Sequence, residues 1–219
     1  MDAKTVLSHV DHTLLKPEAT EAQIKALCQE ALEHNTASVC INPRYIPLAV
    51  SILQGKVPVC TVIGFPLGAM TTEAKVLEAR DAVAKGADEI DMVISIGDLK
   101  DGKLESIEAE IRAVKEVVGN HILKVIIETC LLTDEEKRQM CHIVEKAGAD
   151  YIKTSTGFSS GGATEADVSL FTKETQGRIK IKAAGGIKSY RDMLTFLSLG
   201  ADRLGSSSAI RLMKEAGLL

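Results

Sequence analysis

The sequence predicts an α/β protein in which residues 1–219 form a single catalytic domain, a closed (β/α)8 barrel. Eight segments with the pattern of a buried strand alternate with helical segments, and right-handed crossovers between such units favour closure of a parallel sheet. The sequence glycine-alanine-aspartate recurs before three of the strands, at residues 86–88, 148–150 and 200–202. A chain of 219 residues that is 45% hydrophobic is long enough for one such barrel.

An open, doubly wound sheet is the alternative fold for alternating strands and helices. Such a sheet usually has fewer units at this length, and its first turn is rich in glycine. Here the turn after the first strand, residues 16–19, contains no glycine and no GxGxxG sequence. The sequence therefore favours the barrel over the open sheet.

The eight predicted strands are short runs of apolar and β-branched residues. They cover residues 7–14, 37–41, 57–63, 89–94, 122–128, 150–153, 178–183 and 202–205. Gly64 follows the third strand, and glycines also follow the sixth and seventh, where they are expected to end the strands and begin turns.

Helices are predicted in the connections between these strands. Thr20 is expected to cap the first, to about residue 35, and Pro43 to lie in the first turn of the second, to about residue 54. The third carries apolar residues from 74 to 83 and ends at Gly86. A capping box at residues 133–136 opens the fifth. The others are predicted at residues 105–118, 165–175 and 190–198, and from the eighth strand to the carboxyl end.

Composition excludes several classes of protein. The net charge is −4, there is no basic stripe, and aromatic residues make up only 3%, so a nucleic-acid partner is not expected. No apolar run reaches the ~18–20 residues of a membrane span, and the amino end lacks the features of a signal peptide. The five cysteines form no CxxC pair and are typical of buried thiols in a reducing compartment. We therefore expect a cytoplasmic protein without a membrane partner.

Two lysines end neighbouring predicted strands, each just before a turn that contains glycine. In such barrels the chemistry lies at the carboxyl ends of the strands, and Lys153 and Lys182 lie at two of these ends. Strand alternation directs Lys182 and Asp91 into the barrel. An isolated lysine at a strand end is usually a surface residue, and a structural ion pair is the alternative interpretation of Asp91. The repetition of the lysine pattern favours a functional site.

The last two turns of the barrel are rich in glycine and hydroxyl groups. Gly185 and Gly186 follow the seventh strand, and Gly205, Ser207 and Ser208 follow or end the eighth. Glycine lets the backbone approach an anion, and barrels often bind phosphate in the loops after strands seven and eight. Tight turns without a ligand are the alternative, but the sequence favours a phosphate site.

Metal-dependent and cysteine-dependent mechanisms have little support. The five histidines form no HxH or HExxH arrangement, so no metal site is predicted. Cys40 lies near the predicted mouth of the barrel without an identifiable histidine partner. We interpret it as a small core residue rather than as a nucleophile.

Six motifs together resemble the deoxyribose-phosphate aldolase family, over about residues 8–212. Two of them contain the paired lysines, at residues 152–157 and 181–186, and the others lie at residues 10–14, 88–93, 124–129 and 204–208. The resemblance implies a class I aldolase, an aldehyde-lyase that forms a Schiff base and needs no cofactor. It implies that Lys153 is the Schiff-base lysine and that Lys182 and Asp91 transfer protons. From the side chains themselves, we expect the nearby charge of Lys182 to keep Lys153 partly neutral.

The resemblance also implies the substrates and the residues around them. The family cleaves 2-deoxy-D-ribose 5-phosphate reversibly to D-glyceraldehyde 3-phosphate and acetaldehyde, in the catabolism of deoxyribose phosphate. The residues implied to bind the phosphate are Gly157, Gly185, Gly186, Gly205, Ser207 and Ser208, and those implied to support the site are Asp11, Lys124 and Cys40. A homo-oligomer, dimeric or larger, is compatible with the sequence.

Four other functions remain as alternatives. A pyridoxal-phosphate protein would also need a lysine and a phosphate site, but it would show a visible imine absorbance as purified. A phosphate-binding barrel without activity would keep the glycine turns and would give no product with any aldehyde. A sugar-phosphate isomerase has no use for two adjacent inward lysines, and a different sugar-phosphate aldolase would share the Schiff base but not the substrate.

Overall fold

A computed structural model describes all residues from 1 to 219 and contains a closed barrel of eight parallel strands. The strands follow one another around the barrel in chain order, and β8 pairs with β1 to close it. They are β1 (Val10–Leu14), β2 (Ser38–Ile41), β3 (Val59–Ile63), β4 (Glu89–Val93), β5 (Ile122–Ile126), β6 (Tyr151–Lys153), β7 (Lys180–Ala184) and β8 (Arg203–Ser206). The prediction of a single (β/α)8 TIM barrel is confirmed.

Ten helices surround the barrel or lie at its ends. They are α1 (Ala3–Leu7), α2 (Glu21–His34), α3 (Ile46–Leu53), α4 (Thr72–Ala84), α5 (Ile96–Lys100), α6 (Leu104–Val118), α7 (Asp134–Lys146), α8 (Glu165–Thr175), α9 (Tyr190–Ser198) and α10 (Ala209–Glu215). The predicted capping threonines are confirmed, since Thr20 and Thr133 each form a capping box with the residue three positions on. No helix combines the length and the apolar character needed to cross a membrane.

The main hydrophobic core lies between the sheet and the ring of helices. Alternate strand residues such as Ile90, Met92 and Ile152 point outward into this layer and are fully buried. The residues between them point into the barrel, and many of these are charged. Strand alternation, which is visible in the sequence, therefore decides which charged side chains meet inside the barrel.

The structure differs from the predicted elements mainly where a local cap or turn outweighs the hydrophobic pattern. Helix α1 was not predicted; it forms because the Asp2 side chain accepts a hydrogen bond from the Thr5 N–H at 2.8 Å. The predicted helix after Pro43 begins as a 3-10 turn (Pro43–Tyr45) and continues as α3. The predicted fifth strand is two residues too long, because the chain turns into a left-handed conformation at Glu128.

Candidate active site

Seven charged side chains fill the interior of the barrel and are almost completely removed from solvent. Each lies at an inward-facing position of β1, β4, β5, β6, β7 or β8, and all are buried except one arginine, which is partly buried. The seven are Asp11, Glu89, Asp91, Lys124, Lys153, Lys182 and Arg203. Charges buried this deeply must be paired. We call this set the interior charge cluster.

Asp91 is the carboxylate on which three lysines of the cluster converge. Its Oδ2 lies 2.8 Å from the Lys153 Nζ and 2.7 Å from the Lys182 Nζ. Its Oδ1 lies 2.8 Å from the Lys124 Nζ and accepts the Cys60 thiol at 3.2 Å. The predicted inward orientation of Asp91 and Lys182 is therefore confirmed, and the ion pair considered in the sequence exists with three partners.

A second group of contacts holds the remaining members of the cluster. The Asp11 Oδ2 lies 2.5 Å from the Lys182 Nζ, and the Asp11 Oδ1 accepts hydrogen bonds from Arg203 and, at 2.7 Å, from the Ser38 hydroxyl. Glu89 contacts the Arg203 guanidinium at 3.2 Å and the Lys124 Nζ. The cluster is thus one continuous network around the barrel.

Burial and ion pairing act in opposite directions on these groups, and pairing outweighs burial. Burial alone would raise the pKa of Asp91. The positive charges of Lys124, Lys153 and Lys182 lower it by more, so the pKa of Asp91 lies well below its usual range. Burial lowers the pKa of Lys182, but the carboxylates of Asp11 and Asp91 raise it well above its usual value. In the free protein, Asp91 and Lys182 therefore carry opposite charges at neutral pH.

Charge is not balanced within the cluster. Four cations face three carboxylates, which leaves one positive charge in excess. Lys153 contacts only one carboxylate, whereas Lys124 contacts three and Lys182 two. Lys153 is therefore held by the fewest ion pairs of the four cations. This arrangement favours Lys153 as the amine that acts as a nucleophile.

A cleft of about 610 Å³ opens at the carboxyl ends of the strands, above the cluster. Of the four interior cations, only Lys153 lines it. The other residues that line it include five of the predicted phosphate ligands: Gly157, Gly185, Gly186, Gly205 and Ser207. Ser208 does not line the cleft, and its backbone N–H donates to the Ser206 hydroxyl at 3.2 Å.

Backbone N–H groups that lack a protein acceptor surround this cleft. The N–H groups of Gly157, Gly185, Gly186 and Ser207 form no hydrogen bond with another protein group. The φ angles of Gly185 and Gly186 are +79° and +76°, which are unfavourable for residues with a side chain. A Cβ atom on Gly185 would also lie 3.1 Å from the Gly162 Cα. The turns are therefore suited to the close approach of an anion.

The residues proposed as supporting lie in or beside the cluster. Asp11 and Lys124 belong to the cluster itself, as described above. Cys40 is fully buried and pairs in register with Cys60 of the neighbouring strand, and both pack with Leu15 and Val62. This position fits the interpretation of Cys40 as a core residue.

The Lys124 ammonium lies among a group of carboxylates and a thiol that could otherwise bind a metal ion. Asp11, Cys60 and Glu89 lie close enough together to share a metal ion. The Lys124 Nζ contacts Asp11 at 3.7 Å and Cys60 at 3.3 Å, and it also contacts Glu89. The same ammonium contacts Asp91.

The sequence analysis missed several residues of the site. Glu89 and Arg203 belong to the charge cluster, and alternation could have identified Glu89, because it lies two residues before Asp91 on one strand. Lys16 and Lys188 line the cleft from exposed loops, where no periodic signal exists. The Tyr151 ring, at the amino end of β6, lies 5.6–6.0 Å from the cationic groups of Lys124, Lys180 and Arg203.

Comparisons with known proteins agree with this architecture. A family model described as DeoC/LacD family aldolase matches residues 5–210. A deoxyribose-phosphate aldolase of Clostridium botulinum (strain Eklund 17B / Type B) is 55% identical over 214 residues, which cover 98% of this chain and 97% of that protein.

Solved structures give the same result. One described as QR15, an aldolase, has a TM-score of 0.93 and 40% identity and covers 96% of this chain and 95% of its own. A deoxyribose phosphate aldolase from Aeropyrum pernix, described as having a unique tetrameric structure, has a TM-score of 0.92 and 30% identity, covering 99% and 92%. The resemblance found in the sequence is confirmed, and this chain belongs to the DeoC/LacD family of aldolases.

Proposed function

We propose that this protein is a class I aldolase that cleaves 2-deoxy-D-ribose 5-phosphate reversibly to D-glyceraldehyde 3-phosphate and acetaldehyde. The observation that carries the proposal is the position of Lys153. It is the one cation of the interior charge cluster that lines the cleft, and its Nζ lies 2.8 Å from the Asp91 carboxylate. The relatives at 50–55% identity carry the name of this activity.

The first step is attack of the neutral Lys153 amine on the aldehyde carbon of the open-chain sugar. Water leaves, and the resulting iminium carries a positive charge on nitrogen. That nitrogen lies where Asp91 already stabilises an ammonium, so the same carboxylate can stabilise the iminium. No cofactor is needed, because the iminium itself accepts the electrons of the bond that breaks.

Cleavage of the C2–C3 bond follows as a base removes the proton of the 3-hydroxyl group. D-Glyceraldehyde 3-phosphate leaves, and the enamine on Lys153 is protonated at C2 and hydrolysed to acetaldehyde. We assign the proton transfers to Asp91, acting through a water molecule from the cleft, because Asp91 is ionised and does not itself line the cleft. Lys182 is assigned the role of a fixed positive charge beside Asp91, since its pKa is raised well above neutral pH.

The phosphate is assigned to the glycine and serine turns at the mouth. The free N–H groups of Gly157, Gly185, Gly186 and Ser207 can donate to its oxygens, and Gly205 lines the cleft beside them. Ser208 is assigned a less direct role than the sequence suggested, because its N–H is already used. Lys16 and Lys188 add positive charge at the rim of the cleft.

We further propose that the protein acts in the cytoplasm, in the catabolism of deoxyribose phosphate, and that it forms a homo-oligomer. Its five cysteines are all free thiols, which is typical of a reducing compartment. The description of the Aeropyrum pernix relative as tetrameric supports an oligomer, whose size light scattering after gel filtration would measure.

Trapping with borohydride tests the proposal most directly. Reduction in the presence of acetaldehyde should add a two-carbon group to Lys153, which peptide mass mapping would locate. Lys153→Arg should give neither adduct nor turnover, because a guanidinium keeps its proton and cannot form the imine. Lys180→Arg, on the same barrel but outside the cleft, is the matched control and should still be labelled. An adduct confined to Lys182, or no adduct at all, would contradict the mechanism.

A further inference from the structure

Glu128 is a buried residue with an unfavourable backbone and a carboxylate that has no cation beside it. Its φ and ψ angles are 54° and 67°, in the left-handed region. The other three non-glycine residues with positive φ are helix C-caps, a common position for this conformation, and Glu128 is not. Such strain persists only where surrounding contacts maintain it, and it is frequent at functional sites.

The charge of Glu128 is also exceptional among the buried carboxylates of this protein. The five others each contact a lysine or an arginine: Asp11, Glu89, Asp91, Glu110 and Asp167. Glu128 is only 2% exposed and forms no ion pair. Both of its carboxylate oxygens instead accept hydrogen bonds from a single residue, Thr156.

Thr156 belongs to the loop that connects Lys153 to the mouth of the cleft. Its backbone N–H donates to the Glu128 Oε1 at 3.2 Å, and its hydroxyl donates to the Glu128 Oε2. The Thr156 hydroxyl in turn accepts the Phe158 N–H at 3.0 Å. The N–H groups of Thr156 and Phe158, on either side of Gly157, are thus both hydrogen-bonded, whereas the Gly157 N–H is free at the cleft.

The backbone on both sides of Glu128 is hydrogen-bonded to the end of β6 and to the residue that follows it. The Ile127 N–H donates to the Lys153 carbonyl at 3.1 Å, and the Thr129 N–H donates to the Thr154 carbonyl at 2.9 Å. The left-handed turn at Glu128 therefore lies between two backbone hydrogen bonds, one to Lys153 and one to Thr154. Glu128 is held where its carboxylate accepts both hydrogen bonds from Thr156.

We propose that Glu128 is a positioning residue, which fixes the loop of Thr156, Gly157 and Phe158 so that the Gly157 N–H faces the phosphate of the substrate. This inference rests on the proposed function. Glu128 does not line the cleft and acts only through Thr156. A carboxylate suits this role because it accepts two donors from one residue, whereas glutamine has one acceptor oxygen and one amide nitrogen.

The test compares Glu128→Gly with Glu128→Gln on phosphorylated and unphosphorylated 2-deoxyribose. Glycine keeps the left-handed backbone and removes the side chain, so the contribution of the carboxylate is separated from that of the backbone conformation. We expect the ratio of kcat/KM for the phosphorylated over the unphosphorylated sugar to fall on the order of tenfold or more in Glu128→Gly, mainly through KM. Glu128→Gln keeps one acceptor and should show a smaller fall.

A matched control and a readout without turnover complete the experiment. Gln54→Gly makes the same change at another left-handed position, an exposed helix C-cap, and should leave the ratio unchanged. The ratio does not depend on the fraction of enzyme that folds. Calorimetric binding of inorganic phosphate should weaken in Glu128→Gly by a similar factor.

The outcomes separate the two proposals. An unchanged ratio together with an unchanged Kd for phosphate in Glu128→Gly, or equal losses on both sugars, would overturn the positioning role. A wild-type protein that binds phosphate but cleaves neither sugar would overturn the proposed function alone. In that case the effect of Glu128→Gly on phosphate binding would still decide the positioning role.

Discussion

The interior and the mouth of this barrel hold charge in opposite ways. In the interior, side chains supply every charge, and the members of the interior charge cluster form a closed network of contacts in which Asp91 alone meets three lysines. At the mouth, the backbone supplies the donors, and glycine removes the side chains that would stand in the way. The cluster is almost inaccessible to solvent, whereas the cleft is open.

This difference fits the roles that the proposed function gives to the two regions. A charge that stays in place through the reaction needs permanent partners, because an unpaired buried ion costs several kcal/mol. A phosphate that enters and leaves is better met by N–H groups, which cost less to leave exposed to water when the ligand is gone. Lys153 lies at the boundary, with one carboxylate below it and the cleft above.

Asp91→Asn should produce the largest change, because it removes the charge that three lysines share. We expect kcat to fall by about 10²–10⁴, the usual contribution of acid–base catalysis. The free energy of unfolding should fall by about 3–5 kcal/mol, as when one partner of a buried ion pair is removed. Steady-state kinetics and urea denaturation measure the two effects.

Glu110→Gln provides the control for Asp91→Asn. Glu110 forms a buried ion pair with Lys75 at 2.7 Å between two outer helices, and neither residue lines the cleft. The Glu110→Gln variant should lose stability without a comparable loss of kcat. Because the pKa of Asp91 is lowered in the folded protein, its contribution to stability is present above pH ~4 and is lost as the pH falls. The free energy of unfolding of Asp91→Asn should therefore depend less on pH in the acid range than that of the wild type. A wild-type kcat in Asp91→Asn would contradict the catalytic role of Asp91.

Lys182→Met should have the next largest effect, and it tests the excess positive charge. The Nζ atoms of Lys153 and Lys182 both lie within 2.8 Å of one carboxylate oxygen, so removal of Lys182 leaves three cations facing three carboxylates. Two charges about 5 Å apart at an effective dielectric of ~20 repel by about 3 kcal/mol. We expect activity at neutral pH to fall by about 10²-fold. The rising limb of the pH–rate profile, on which activity increases with pH, should move to higher pH.

The shape of the pH–rate profile decides how Lys182 acts. Lys75→Met removes another fully buried lysine outside the barrel and should leave the profile in place. A loss of activity in Lys182→Met with an unchanged profile would mean that Lys182 carries protons directly and does not act through its charge.

Ser207→Asp should have the smallest effect of the three, because it changes the mouth and leaves the cluster intact. A new carboxylate in the cleft would repel the phosphate dianion and raise KM for the phosphorylated sugar by roughly tenfold or more. The kcat/KM for unphosphorylated 2-deoxyribose should change far less.

Ser208→Asp is the matched variant for Ser207→Asp. It lies next in the chain but does not line the cleft, and its N–H already donates to Ser206. Its effect on KM should be the smaller of the two. Equal losses on both sugars in Ser207→Asp would mean that this turn does not hold the phosphate.

The sequence by itself determined the barrel and the faces of its strands. Alternation along β4 and β7 identified Asp91 and Lys182 as inward-facing, and the paired lysine motifs identified the family. These signals are local, since they depend on the two-residue period of a strand and on short runs of residues. The capping boxes that open α2 and α7 are local in the same way.

Only the tertiary structure decided which charges meet and how they balance. Asp11 and Arg203 are 192 residues apart in the chain, and Asp91 and Lys182 are 91 apart, yet closure of the barrel places each pair in contact. A strand pattern gives the face of a residue but not its partner across the barrel. The left-handed Glu128 gave no signal either, because its conformation depends on contacts with the next strand and not on its neighbours in the sequence.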